Sequence, residues 1–151
     1  MPDGIKKVFA TRLDQVYDQD REGLGTIRFE GGNVYKWVKI VATGNISAGD
    51  ALCYNLTDTN LQTVDLANSA VGAGIAMAAV ASGATKFGWI QTRGLATLAN
   101  SIAGSSPAAG NAVTNTGAAD GVVTKAAAVT DCIVGYIVHA ANKIVALSYP
   151  N

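Results

Sequence analysis

Thirteen of the 22 charged side chains in this 151-residue chain fall within residues 1–40. From Leu66 to Asn151 there are only six: Lys86, Arg93, Asp120, Lys125, Asp131 and Lys143. The remainder of that long stretch is mostly Ala, Gly, Val, Ile, Ser, Thr and Asn. A free soluble domain shows more charge than this on its surface. The pattern therefore implies a charged, extended front segment joined to a bland body that hides surface against neighbours. That is the division expected of a building block in an assembly.

The length fits one domain. Alanine (26) and glycine (17) supply 43 of the 151 residues, so a thin body with many tight turns is expected in place of a thick core. Net charge is zero and the one basic pair, Lys6-Lys7, reads as a solvated start, which argues against direct nucleic-acid binding. Two cysteines, Cys53 and Cys132, make no disulfide framework and are expected to be reduced and unlinked. Met1-Pro2-Asp3-Gly4 lacks the apolar stretch of a signal peptide, so synthesis in a cytoplasm is expected. The small-apolar run Ala70 to Ala81 is about half of the ~20 residues needed to span a bilayer, so no membrane is implied.

The first 25 residues show no hydrophobic period, which suggests an irregular arm. A hairpin signal follows: residues 26–30 and 34–40 flank Gly31-Gly32-Asn33, which supplies residues tolerant of positive φ. In the second strand Tyr35 and Trp37 share one face, while Val34, Val38 and Ile40 share the other. Large apolar groups on both faces imply that at least one meets another surface.

Beyond Thr43 the chain echoes itself. Ala48-Gly49-Asp50-Ala51-Leu52 returns as Ala109-Gly110-Asn111-Ala112-Val113, and Val71-Gly72 returns as Val134-Gly135. Each unit closes on an apolar strand, 87–91 and 144–147. The expected organisation is an arm and hairpin over 1–43, then a β body over 44–151 built from two similar units, about 44–95 and 104–150. Short strands between Gly/Asn/Asp/Ser turns read as an all-β sandwich or barrel.

Reaction chemistry is hard to find in this sequence. His139 has no Cys, Asp or Glu at metal-ligand spacing, and the acids of the body sit singly in apparent turns. Gly72-Ala73-Gly74 begins like a dinucleotide fingerprint, but Met77 stands at its third glycine and no amphipathic helix follows. No cofactor and no enzyme activity are expected.

The order of these features resembles the small decoration, or cement, proteins of tailed bacteriophage heads. The resemblance is carried by Gly-Asn-Val-Tyr-Lys-Trp-Val-Lys (32–39), the Ala-Gly-Asp-Ala-Leu turn, Val-Gly-Ala-Gly-Ile-Ala (71–76), Phe-Gly-Trp-Ile-Gln-Thr-Arg-Gly (87–94) and Ile-Val-Gly-Tyr-Ile-Val (133–138). It implies a virion protein on the capsid exterior, assembling as a homotrimer on major capsid protein and stabilising the shell after DNA packaging. On that reading the arm and hairpin form the capsid contact, with Arg28, Phe29, Tyr35, Trp37 and Lys39 as determinants, because such residue types dominate interfaces. Trp89 and Tyr136 are candidate subunit contacts. The alternatives are a tail or fibre-base module, distinguished by its place on the particle, and a carbohydrate-binding module. The second alternative requires Trp37 and Trp89 to be exposed stacking platforms.

Overall fold

The computed structural model describes residues 8–67, 71–115, 119–128 and 130–149. Lys6 and Lys7 lie outside these. Among the described residues there are eleven strands and no helix. In chain order they are β1 (Val16–Tyr17), β2 (Ile27–Glu30), β3 (Asn33–Val41), β4 (Ala51–Tyr54), β5 (Thr63–Asp65) and β6 (Gly72–Ala76). Then follow β7 (Thr85–Thr97), β8 (Ala112–Thr114), β9 (Thr124–Lys125), β10 (Gly135–His139) and β11 (Ile144–Ser148). The fold is all-β.

The expected hairpin is β2–β3. Gly31 and Gly32 have φ of 59° and 81°, and Glu30 pairs with Asn33. A two-residue turn with both central residues left-handed matches the natural twist of the flanking strands. β3 then continues into a closed five-stranded barrel, in the order β3-β5-β4-β6-β7 and back to β3. The β3–β5 pair is parallel and the others are antiparallel. Val38, Ile40, Leu52, Tyr54, Val64, Ala73, Ala76 and Ile90 fill its interior. Because β3 is a barrel stave, the division expected at residue 43 does not separate two bodies.

β7 serves two sheets. Its first part pairs with β3, where Val34 faces Arg93 and Tyr35 faces Gln91, so Thr92 is an extra residue that bends the strand. Beyond it, Arg93–Thr97 pairs with β11. A second sheet runs onward through β10 and β8 to β9. Gly94 at the bend has φ of 93°, and a Cβ there would overlap the Asn33 side chain. The second sheet packs Val113, Val134, Ile137, Val145 and Tyr149 against Ala51 and Ile75, which lie on barrel strands.

The two echoed units share one geometry. Ala51 pairs with Ile75 and Leu52 with Gly74; Ala112 pairs with Tyr136 and Val113 with Gly135. The turn amides repeat as well: Gly49 N–H donates to the Ala76 carbonyl and Gly110 N–H to the Ile137 carbonyl, both at 2.8 Å. Asp50 and Asn111 each accept the amide three residues earlier, Ser47 at 2.7 Å and Ala108 at 3.0 Å. Where the sequence echo sets Gly72 against Gly135, the structure sets Gly74 there, two residues along.

The front segment is not extended over residues 8–25. Phe9, Leu13, Tyr17 and Leu24 pack on Tyr35, Trp37 and Trp89. Both indoles bond the arm: Trp89 Nε1–H donates to Thr11 Oγ1 at 2.9 Å, and Trp37 Nε1–H to Asp20 Oδ1 at 2.8 Å. Phe9 meets Trp89 edge-on at 5.3 Å, and β1 adds two residues to β7. A buried aromatic ring removes roughly 150–250 Å² from water, about 4–6 kcal/mol gross per indole at about 25 cal/mol per Å². The exposed pair Arg12–Asp14 adds little beside this. Apolar burial decides the arm's path, so a removable arm is not what the structure offers.

Cys53 is buried, Cys132 is exposed, and neither is linked. One thiol should therefore react with maleimide in the native protein and two in denaturant; two fast native thiols would contradict the packing around Cys53. The repeat also sets a backbone requirement. A Cβ on Gly74 would come within 2.7 Å of the Gln91 carbonyl oxygen, and one on Gly135 would overlap that of Ala146. Gly74→Ala and Gly135→Ala should each cost about 1–3 kcal/mol in denaturant titration, while Gly83→Ala, with no atom within 4 Å of its Cβ, should lose only the modest strain of its positive φ.

Candidate functional site

The structure divides the sequence-predicted contact residues into buried and available groups. Trp37 and Trp89 are fully enclosed and Tyr35 is buried, so none of the three can anchor a partner. The enclosed indoles cannot be sugar platforms either. Arg28 is committed within the chain: its Nη1–H donates to the Thr11 carbonyl at 3.0 Å, it pairs with Glu30, and its guanidinium lies over Phe9 and Trp89. Lys39 is half-buried between Thr63 and Phe87 in the register. Phe29, by contrast, is 77% exposed, and Tyr136 is 53% exposed. These two mark separate surfaces.

Tyr136 belongs to a row across the outer face of the second sheet. Ala112, Tyr136, Ala146 and Leu95 are direct cross-strand neighbours on β8, β10, β11 and β7. Leu95 is 59% exposed, and Val138, two residues beyond Tyr136 on the same strand, is 46% exposed. Ile137 between them points into the core, as strand alternation requires. Arg93 lies one pleat along from Leu95, and no carboxylate occupies these pleats of β7, β10 and β11. The sequence reading missed Leu95 and Val138, although the alternation Tyr136-Ile137-Val138 is visible once the strand is known.

Phe29 lies on β2, the outermost strand at its end of the sheet order, with one neighbour among the described strands. It is opposite Val34, and Ile27 is opposite Lys36, so these four share one face of the hairpin. Lys36 stands where the inward series Val34, Val38, Ile40 calls for an apolar group. It is 8% exposed. Its Nζ donates to Tyr54 Oη at 2.9 Å and to the Leu61 carbonyl at 3.2 Å, and it lies 4.8 Å from the Tyr54 ring centroid. Leu61 and Leu56, in the loop after β4, are 40% and 60% exposed. This end of the barrel thus joins exposed apolar groups to a covered cation.

Other polar groups are structural by their bonds. Asp58 accepts the amides of Asn60, Gln62 and Thr63, which hold its carboxyl below the usual carboxylate range. His139 Nδ1 accepts the Asn142 amide within a turn. Tyr149 Oη donates to Asn115, whose amide reaches the Leu52 carbonyl, and burial pushes that phenol far up. A cleft of about 240 Å³ beside Gly49, Ile75, Met77, Gln91 and Leu95 has no titratable side chain in its lining. Among the described residues, no group of three or more His, Cys, Asp or Glu could hold a metal ion.

Comparison with known proteins adds one finding. No family model matches the sequence. No curated protein matches it significantly. The fold is similar to the crystal structure of the N base of the head fiber gp8.5 in bacteriophage phi29, with a TM-score of 0.54 and 20% sequence identity. The alignment covers 77% of this chain and 94% of that one. At that identity the likeness is one of fold.

Asp65 gives a pH test of the body. Burial, and then the Asp120 charge, push its carboxyl up from the usual range. The folded state thus disfavours its ionised form, a cost that is absent below the unfolded pKa and grows as pH rises through the folded value. Asp65→Asn should raise the melting temperature at pH 7 and leave it unchanged near pH 3; an equal gain at both would place the effect elsewhere.

Proposed function

We propose that this chain is a structural virion protein that sits on the outside of a phage head, assembles there as trimers and stabilises the shell. The observation that carries the virion reading is the fold shared with a phage head fiber base, which remains an analogy of architecture. Two surfaces fit such a role. The Leu95, Ala146, Tyr136, Val138 row is apolar and free of carboxylates, which suits contact between identical copies, where like charges would meet around a closed axis. The hairpin face with Phe29, on an edge that no described strand covers, suits attachment to capsid protein by strand addition. Many copies on one shell would turn modest affinity at each site into firm retention. A structural role uses no cofactor and no catalytic group.

A second reading has specific support. The neighbour is the base of a fiber, so this chain would equally serve as the head-bound foot of a projecting structure. Both readings use the same attachment face, and they differ in whether another polypeptide stands on top.

The test adds purified variants to heads stripped of the protein and measures occupancy, with circular dichroism as the folding control. Phe29→Ser should lower apparent affinity by at least about 2 kcal/mol if Phe29 is a hot spot, with the fold intact. Tyr136→Lys should abolish trimers in analytical ultracentrifugation of the released protein. Wild-type occupancy by Phe29→Ser and unchanged assembly of Tyr136→Lys would remove both surface assignments.

A further inference from the structure

We infer that the end of the barrel beside the hairpin is a docking site for a carboxylate-bearing, apolar segment of a partner protein, with Lys36 as its charge anchor. Lys36 is more than nine-tenths buried, yet no described carboxylate lies within 4.0 Å of its Nζ. Its two described acceptors, Tyr54 Oη and the Leu61 carbonyl, are neutral. The third N–H has no described acceptor. Asp58, the carboxylate of the adjoining loop, is already held by three backbone amides.

A covered cation without a counter-charge attracts an incoming anion more strongly than a surface lysine does, because less water screens it. The surroundings select which anion. Phe29, Leu56 and Leu61 expose large apolar surface at the same end, and Ile27 and Phe29 share the hairpin face with Lys36. A bare inorganic anion would leave that surface wet. A peptide carrying Asp or Glu between aliphatic residues would cover it and neutralise Lys36 together. The inference deepens the proposed attachment by naming the chemistry that the hairpin face receives, and rests on that reading only for the identity of the partner.

The test uses the full chain, isotope-labelled, titrated with acetyl-Leu-Glu-Leu-amide and followed by nuclear magnetic resonance. Saturable shifts at Phe29, Leu56, Leu61 and the Lys36 side chain are expected. Binding should weaken about ten-fold or more with acetyl-Leu-Gln-Leu-amide, which lacks the charge-assisted bond. Lys36→Met should lose the preference for Glu over Gln. If that variant proves unstable, Phe29→Ala, altered at a largely exposed position, should weaken both peptides while the fold and the preference for Glu stay intact. Equal binding of the two peptides, no saturable shift, or competition by inorganic phosphate as effective as the peptide would overturn the inference. The titration needs no phage head, so its failure leaves attachment through Phe29 standing, and loss of head attachment leaves the peptide result standing.

Discussion

The bend in β7 at Thr92 is the constraint on which the rest depends. One 13-residue strand closes the barrel with its first part and founds the second sheet with its last five residues. Had the strand stayed straight, Arg93–Thr97 would continue along the barrel wall and β11 would lack its partner. The extra residue turns it away, and Gln91 secures the corner by donating from Nε2 to the Arg93 and Leu95 carbonyls at 3.2 and 2.9 Å. Gly94 accepts the left-handed φ there. The same corner carries Leu95 onto the outer face, so the apolar row follows from the bend.

A second dependence runs through the paired indoles. Trp37 and Trp89 are direct cross-strand partners, with ring centroids 5.2 Å apart, on the outside of the barrel. Such a surface must be covered. The arm does this within the chain by means of Phe9, Leu13, Tyr17 and Leu24, and it satisfies both indole N–H groups in doing so. The arm's concentration of charge reflects its solvent side. Phe9, Leu13, Tyr17 and Leu24 are occupied at home, and the sheet row and the hairpin face are surfaces offered to partners.

The sequence made the class of fold, the hairpin and the repeated turns legible because each rests on local signals: alternation at 34–40, Gly31-Gly32, and the Asp50 and Asn111 turns. Long-range facts were not legible. Tyr35 and Trp37 were correctly placed on one face, but nothing local states that the face is covered by residues 9–24, whose apolar groups follow no period. The repeat slipped by two residues in its strands because Val71-Gly72 matches Val134-Gly135 letter for letter, whereas Gly74 follows Ala73; close contact with the neighbouring carbonyl, visible only in the structure, identifies Gly74 and Gly135 as equivalents. Lys36 was the missed signal. A lysine in the inward period of an otherwise apolar strand is an exception that a strict count of alternation exposes.

These features describe a small body that spends its strongest apolar groups on its own closure and leaves two modest surfaces for assembly. The claim that those surfaces serve a phage head is tested most directly by a three-dimensional reconstruction of the particle in which this chain is located. The account predicts copies in threes over the whole head, the β10–β11 faces turned toward one another and the Gly31–Gly32 turn toward the shell. Single copies set apart from one another, or density confined to the tail vertex, would contradict it.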